Sequence, residues 1–136
     1  MVSVPRVFLF VCDAGQKAIL QQALAHHAEL AWACNPQEMI QQLEQARYDA
    51  VFCSRTLSTG SWGEALKQVR QLYPDVPVII LSQTADEKEW LEVLAAGAFD
   101  LLGLPCYERT LLSVVEHAVA SGEARAWHSG ASLQTA

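Results

Sequence analysis

The sequence predicts an α/β fold, a doubly wound five-stranded parallel sheet with helices on both faces. Three observations predict it. Apolar runs of strand length alternate with amphipathic helical stretches along the chain. The apolar runs are continuous rather than alternating, as in strands covered on both faces. Most of the helical stretches open on a recognisable capping pattern.

The first strand is Val7 to Val11, an unbroken apolar run. Asp13-Ala14-Gly15-Gln16 then reads as a cap with Gln in the third helical position, opening a helix to about His27. Its buried face carries Ile19, Leu20, Ala23 and Leu24. Leu30 to Ala33 is a short second strand. Asn35-Pro36-Gln37-Glu38 combines a cap, a first-turn proline and a third-position glutamate, and Met39, Ile40, Leu43 and Ala46 give that helix its apolar stripe.

Ala50 to Cys53 is the third strand, followed by a loop from Ser54 to Gly60. Ser61-Trp62-Gly63-Glu64 opens a helix to about Tyr73, where Pro74 and Pro77 break the chain. Val78 to Leu81 is the fourth strand. Thr84-Ala85-Asp86-Glu87 caps a fourth helix that stops at Ala96-Gly97, with Leu91, Leu94 and Ala95 expected to face inward. Phe99 to Leu102 is the fifth strand, and a fifth helix runs from about Tyr107 to Ala120, ended by Ser121-Gly122. This makes residues 1–121 the folded domain and 122–136 a flexible tail or the start of a linker.

Composition narrows the function. The chain has 136 residues, of which 51% are hydrophobic and 18% charged, which suits one domain with a sizeable core. A net charge of −6, with nine scattered Lys and Arg, argues against nucleic-acid binding by this domain. No stretch has the roughly 18 apolar residues needed to cross a bilayer, and the N-terminus lacks the pattern of a signal peptide. The four cysteines form no CxxC pair, so a cytoplasmic location with reduced thiols is the expectation.

In open α/β sheets the working crevice lies beyond the carboxyl ends of the strands. Here that selects Cys12, Asp13, Cys34, Ser54, Ser82 and Leu104. Three segments around these positions resemble a response-regulator receiver domain, the CheY-like family: "YDAVFCS" at the third strand, "PDVPVIILS" at the fourth and "AAGAFDLLGLP" from Ala95 to Pro105. The resemblance covers roughly residues 6–121. It implies a flavodoxin-like fold with strand order 2-1-3-4-5.

The resemblance also implies what each position should do. The family's two acidic residues after the first strand fall on Cys12 and Asp13, its phosphoacceptor aspartate on Ser54, its hydroxyl residue on Ser82 and its lysine on Leu104. Asp13 and Ser82 keep the family's residue type, and the other three do not. The aromatic of the fifth strand falls on Leu101. Phosphoryl transfer to such a domain needs a carboxylate nucleophile and a magnesium ion held by hard oxygen ligands. A thiol does not replace such a ligand. A serine with no histidine near it in sequence has no base to activate it. The expectation is a degenerate phosphorylation pocket that is largely neutral, with no catalytic residue, no bound metal and no cofactor.

Function then moves to the outer surface. The family contacts partners through the fourth helix, fifth strand and fifth helix, where Trp90 and Leu101 are the candidate interface residues for a protein partner or a homodimer. A second reading is a small-ligand or redox sensor built on Cys12, Ser54, Ser82 and Trp62. Cys53, adjacent to Ser54, points to the opposite face of the sheet by strand alternation, which weakens a Cys12–Cys53 pairing. Trp62 is either a lid over Ser54 or an exposed loop residue. The chain as a whole reads as a signalling module without enzymatic activity, and as the N-terminal part of a longer regulator.

Overall fold

The structure, a computed structural model, describes residues 4–57 and 61–135, with side chains of the last helix described as far as residue 124. Strands β1 (Arg6–Phe10), β2 (Glu29–Ala33), β3 (Ala50–Ser54), β4 (Val78–Ser82) and β5 (Asp100–Gly103) alternate with helices α1 (Ala14–Leu24), α2 (Pro36–Gln45), α3 (Trp62–Leu72), α4 (Glu87–Ala95) and α5 (Glu108–Thr135). The strands form one parallel sheet in the order β2-β1-β3-β4-β5, as the resemblance implies. The third strand includes Ser54, one residue beyond the apolar run. Of the expected loop from Ser54 to Gly60, residues 58–60 lie outside the described residues.

Side-chain alternation along the strands splits the core in two. Phe8, Phe10, Val51, Cys53 and Ile80 face α2, α3 and α4, and pack on Met39, Leu43, Leu66, Val69 and Val93. Val7, Leu9, Val11, Phe52, Ile79 and Leu81 face α1 and α5, and pack on Leu20, Leu24, Leu111 and Ala118. Burying both faces of β1, β3 and β4 is what their unbroken apolar runs require. The ring of Tyr48 meets Phe8 edge-on, with centroids 5.3 Å apart, and closes the first cluster at its lower end.

The predicted caps form. Asp13, Asn35 and Ser61 accept the backbone N–H of Gln16, Glu38 and Glu64 at 3.1, 2.8 and 3.2 Å. The fourth helix is capped by Asp86, which accepts the N–H of Glu89 at 2.8 Å, two residues later than the expected start at Thr84.

Two boundaries depend on glycine for different reasons. Gly97 has φ +103°, a left-handed conformation that ends α4, and its N–H and that of Ala98 bond back to Leu94 and Val93 at 3.0 Å each. Gly122 does not end α5, which continues to Thr135. A Cβ there would lie 3.1 Å from Pro77 Cδ and 3.2 Å from the Asp75 carbonyl oxygen. The residue is small because the helix passes close to the α3–β4 turn, and one glycine costs a long helix only about 1 kcal/mol. The expected helix stop at Ser121-Gly122 is therefore corrected.

Gly97→Ala forces a side chain into the left-handed region and is expected to destabilise the fold by about 1–2 kcal/mol. A urea melt measures this, and an unchanged midpoint would contradict the assigned helix stop.

Candidate functional site

The carboxyl ends of β1, β3 and β4 bring Cys12, Asp13, Ser54 and Ser82 to one end of the sheet, as the crevice rule requires. Each is held by its own local bonds. Asp13 is exposed, and its Oδ2 is the acceptor of the α1 cap.

Ser54 is buried, at 1% exposure, and its hydroxyl is fully engaged. Its Oγ accepts the Thr56 N–H at 3.2 Å. Its single proton serves the Gln16 Oε1 at 3.1 Å or the Thr56 carbonyl at 3.0 Å. Gln16 is itself buried, so its side chain fills the space between α1 and the end of β3. The third-position Gln was legible as a capping residue, but its side chain reaches across to the sheet.

Ser82 is the centre of a denser network. Its Oγ accepts the N–H groups of Thr84 and Ala85 at 3.2 and 3.1 Å, which shapes the turn into α4 where Ala85 takes a left-handed φ of 46°. Its proton goes to Glu89 Oε2 at 2.6 Å. Thr84 Oγ1 donates to the other oxygen, Glu89 Oε1. Arg55, the residue after Ser54, completes the group: its Nη1 lies 2.8 Å from Glu89 Oε2, and its Nη2 lies 3.4 Å from Glu92 Oε2. The Ser82 hydroxyl is the largest influence that holds the Glu89 carboxyl down to about 2, followed by Thr84, with Arg55 adding attraction against the cost of burial.

Two expectations are corrected here. The pocket is not largely neutral, because a carboxylate from α4 and a guanidinium from the end of β3 occupy it. The inward face of α4 is set by Glu89 and Val93, while Leu91 and Ala95 are exposed. The sequence placed Leu91 inside because a leucine outranks a glutamate for burial. Here the glutamate has partners for both oxygens, and burial follows the hydrogen bonds. The one local hint was an Arg directly after the strand-end serine, in a chain where the resemblance puts a leucine at the family's lysine position, and it does not name Glu89 as the partner.

Leu104 is buried among Val11, Leu102 and Leu111, on the face of α1 and α5. It is core rather than pocket lining. Trp62 is the first residue of α3, partly buried against the opposite cluster, so it is not an exposed loop residue. Leu101 is buried at 8% exposure and packs in that same cluster, so it offers no surface. Trp90 is 43% exposed and its Nε1 donates to Asp100 Oδ1 at 3.2 Å, which pins the ring beside β5.

The cysteines also depart from expectation. Cys12 is joined to Cys34 by a disulfide, with Cα atoms 4.8 Å apart, rather than standing as a reduced thiol. Cys53 is buried in the core, and burial pushes its thiol up to about 12.

A magnesium ion does not fit these residues. It needs several hard oxygens, but Asp13 alone offers a carboxylate on the β1 side, Cys12 is tied to Cys34, and the Ser54 hydroxyl is engaged by Gln16 and Thr56. Among the described residues no three His, Cys, Asp or Glu side chains cluster as metal ligands.

The Glu89 network has a pH signature. Its carboxyl is held below the ordinary value of 4.5, so its stabilisation is complete above that pH and is lost as pH falls towards about 2. Glu89→Gln, which does not titrate, is expected to lose less stability than the native chain between those limits. Thermal midpoints across that range measure it, and equal slopes in the two proteins would contradict the network.

Known proteins resemble this chain in sequence and in fold. The transcriptional regulatory protein ZraR of Escherichia coli (strain K12) is 27% identical over 109 residues, an alignment covering 79% of this chain and 25% of that one. The chain thus spans about a quarter of the length of this curated relative. The receiver domain of sensor histidine kinase PA1611 from Pseudomonas aeruginosa PAO1, solved with a magnesium ion in its active-site cleft, superposes with a TM-score of 0.76 at 18% identity, over 87% of this chain and 99% of that one. NtrX from Brucella abortus superposes at 0.85 and 15% identity, over 94% of this chain and 29% of that one. These two likenesses are of fold. The response regulator receiver domain family matches residues 13–116 of the sequence. With that match over most of the chain, and with the sheet order that the family carries, the chain belongs to the response regulator receiver domains.

Proposed function

We propose that this receiver domain signals without aspartyl phosphorylation, as a protein-interaction module rather than an enzyme. One observation carries the reading. The hydroxyl retained at the end of β4, Ser82, already bonds an internal carboxylate, Glu89, which is paired to Arg55. By the resemblance, that position is one of the family's phosphorylation residues. Here the anion comes from α4 of the same chain, and α4 is tied to the ends of β3 and β4.

The chemistry around it agrees. A neutral serine stands at the end of β3, where phosphoryl transfer needs an ionised carboxylate, and its hydroxyl is engaged in local bonds. The residues present do not suit magnesium, and the lysine position is a core leucine. Ser54, Ser82 and Trp62 give the neutral-pocket sensor, small-ligand or redox, no support, because both hydroxyls are engaged, Trp62 packs on a core cluster and the pocket holds an ion pair.

The output surface we propose is α4, β5 and the start of α5. Three large apolar side chains are exposed along it: Trp90 at 43%, Leu91 at 55% and Tyr107 at 84%. Large aromatics of this kind are common interface anchors. The occupant is a second copy of the chain or a protein partner in the cytoplasm, and the acidic net charge speaks against nucleic acid. The name of the Escherichia coli relative, and the quarter of its length that this chain spans, support reading this domain as the receiver part of a longer regulator.

Exposure to acetyl phosphate or beryllofluoride with magnesium is expected to leave the amide resonances of Asp13, Ser54 and Ser82 unmoved. Saturable shifts that require both reagents would overturn the proposal. Trp90→Ala is expected to weaken self-association or partner binding by about tenfold or more at near-native stability, since anchor truncations cost about 1–4 kcal/mol of binding. Sedimentation and a thermal melt measure the two quantities. Unchanged association would move the interface elsewhere.

A further inference from the structure

The Cys12–Cys34 pair takes no part in the reading above. It joins the two chain segments that enter α1 and α2, one residue before each cap, Asp13 and Asn35. The Cα separation of 4.8 Å lies inside the range of about 4.4–6.8 Å that suits a disulfide without backbone movement. Cys34 is exposed and Cys12 partly so, and thiol–disulfide exchange needs such access. The other two cysteines are poorly disposed to exchange: Cys53 is buried with its thiol pushed up to about 12, and burial also raises that of Cys106.

The surroundings of Cys12 also suit a thiol. The Cys34 carbonyl oxygen lies 2.8 Å from Cys12 Sγ, where it would accept the thiol hydrogen once the bond opens.

The bond also has a route to the candidate site. Cys12 leads into Asp13, Asp13 caps α1 through the Gln16 N–H at 3.1 Å, and the Gln16 side chain meets Ser54 Oγ at 3.1 Å. Fastening Cys12 to β2 fixes the segment that aims Gln16.

We propose that Cys12 and Cys34 form a reversible thiol–disulfide switch, driven by a low-molecular-weight disulfide of the glutathione class, that sets the Gln16–Ser54 contact. The more exposed Cys34 thiolate attacks one sulfur of glutathione disulfide, forming a mixed disulfide and releasing one glutathione thiolate. The Cys12 thiolate then attacks the Cys34 sulfur and releases the second. One S–S bond is broken and one formed, two electrons pass from the protein to glutathione, and the two protons lost by the cysteines end on the two glutathione thiols. This switch stands independently of how the domain responds to phosphoryl donors.

The test equilibrates the full chain across glutathione buffers of varying ratio, then quenches with acid and alkylates. Peptide masses report the cysteines, and amide spectra report Gln16 and Ser54. Cys12 and Cys34 are expected to convert together, reversibly, while Cys53 remains a free thiol at every ratio. The Gln16 and Ser54 amides should follow the same curve, and the bonded form should melt about 10 °C higher. Cys34→Ser, at an exposed position, should fold and lose the glutathione dependence of both amides. Independent alkylation of the two cysteines at every ratio would overturn the proposal. So would a bond that persists at the most reducing ratio, or a bond that forms while both amides stay fixed.

Discussion

The carboxylate of Glu89 is the constraint on which the working end of this domain depends. It is supplied by α4, but its partners come from the end of β4, from the turn that follows and from the residue after β3. A buried carboxylate without partners would be costly, so these four side chains are only favourable together. The arrangement fixes which face of α4 points inward, and through that which residues face out. Trp90 and Leu91 are exposed because Glu89 and Val93 are not.

The same constraint reinterprets the substitutions at the phosphorylation positions. By the resemblance alone, a serine where the family has an aspartate and a leucine where it has a lysine read separately as losses. Beside these positions the structure holds a charged pair. The cation sits at Arg55, beside the altered strand end, and the anion sits on the helix. Leu104 joins the apolar core and Ser54 bonds to Gln16, so each altered position has a native role.

Most of the fold was legible because it rests on short-range signals. The unbroken apolar runs of β1, β3 and β4 announced strands covered on both faces, and Asp13, Asn35 and Ser61 announced helix starts. What could not be read was long-range. Gly122 looked like a helix stop because its reason, the close approach of Pro77 and Asp75, lies more than 40 residues away in sequence. Leu101 was expected at the surface by its place in the family pattern, yet β5 turns it into the cluster around Ile80 and Val93. The Cys12–Cys34 bond joins the exits of neighbouring strands 22 residues apart, where the sequence had suggested reduced thiols and weighed only a Cys12–Cys53 pairing. The positions of the candidate site were legible from the crevice rule and the resemblance, but Gln16, Arg55 and Glu89 were not. Their roles follow from partners that only the folded chain brings within reach.

The central claim is that an internal ion pair and hydroxyl network occupies the place where the family receives a phosphoryl group. The most direct measurement is the titration of the Glu89 side-chain carboxyl itself, followed by carbon-detected NMR in the native chain. The account gives a midpoint of about 2, far below the ordinary 4.5, because Ser82, Thr84 and Arg55 all favour the charged form. A midpoint near 4.5 would mean that the carboxylate is solvated rather than engaged, and would contradict the account.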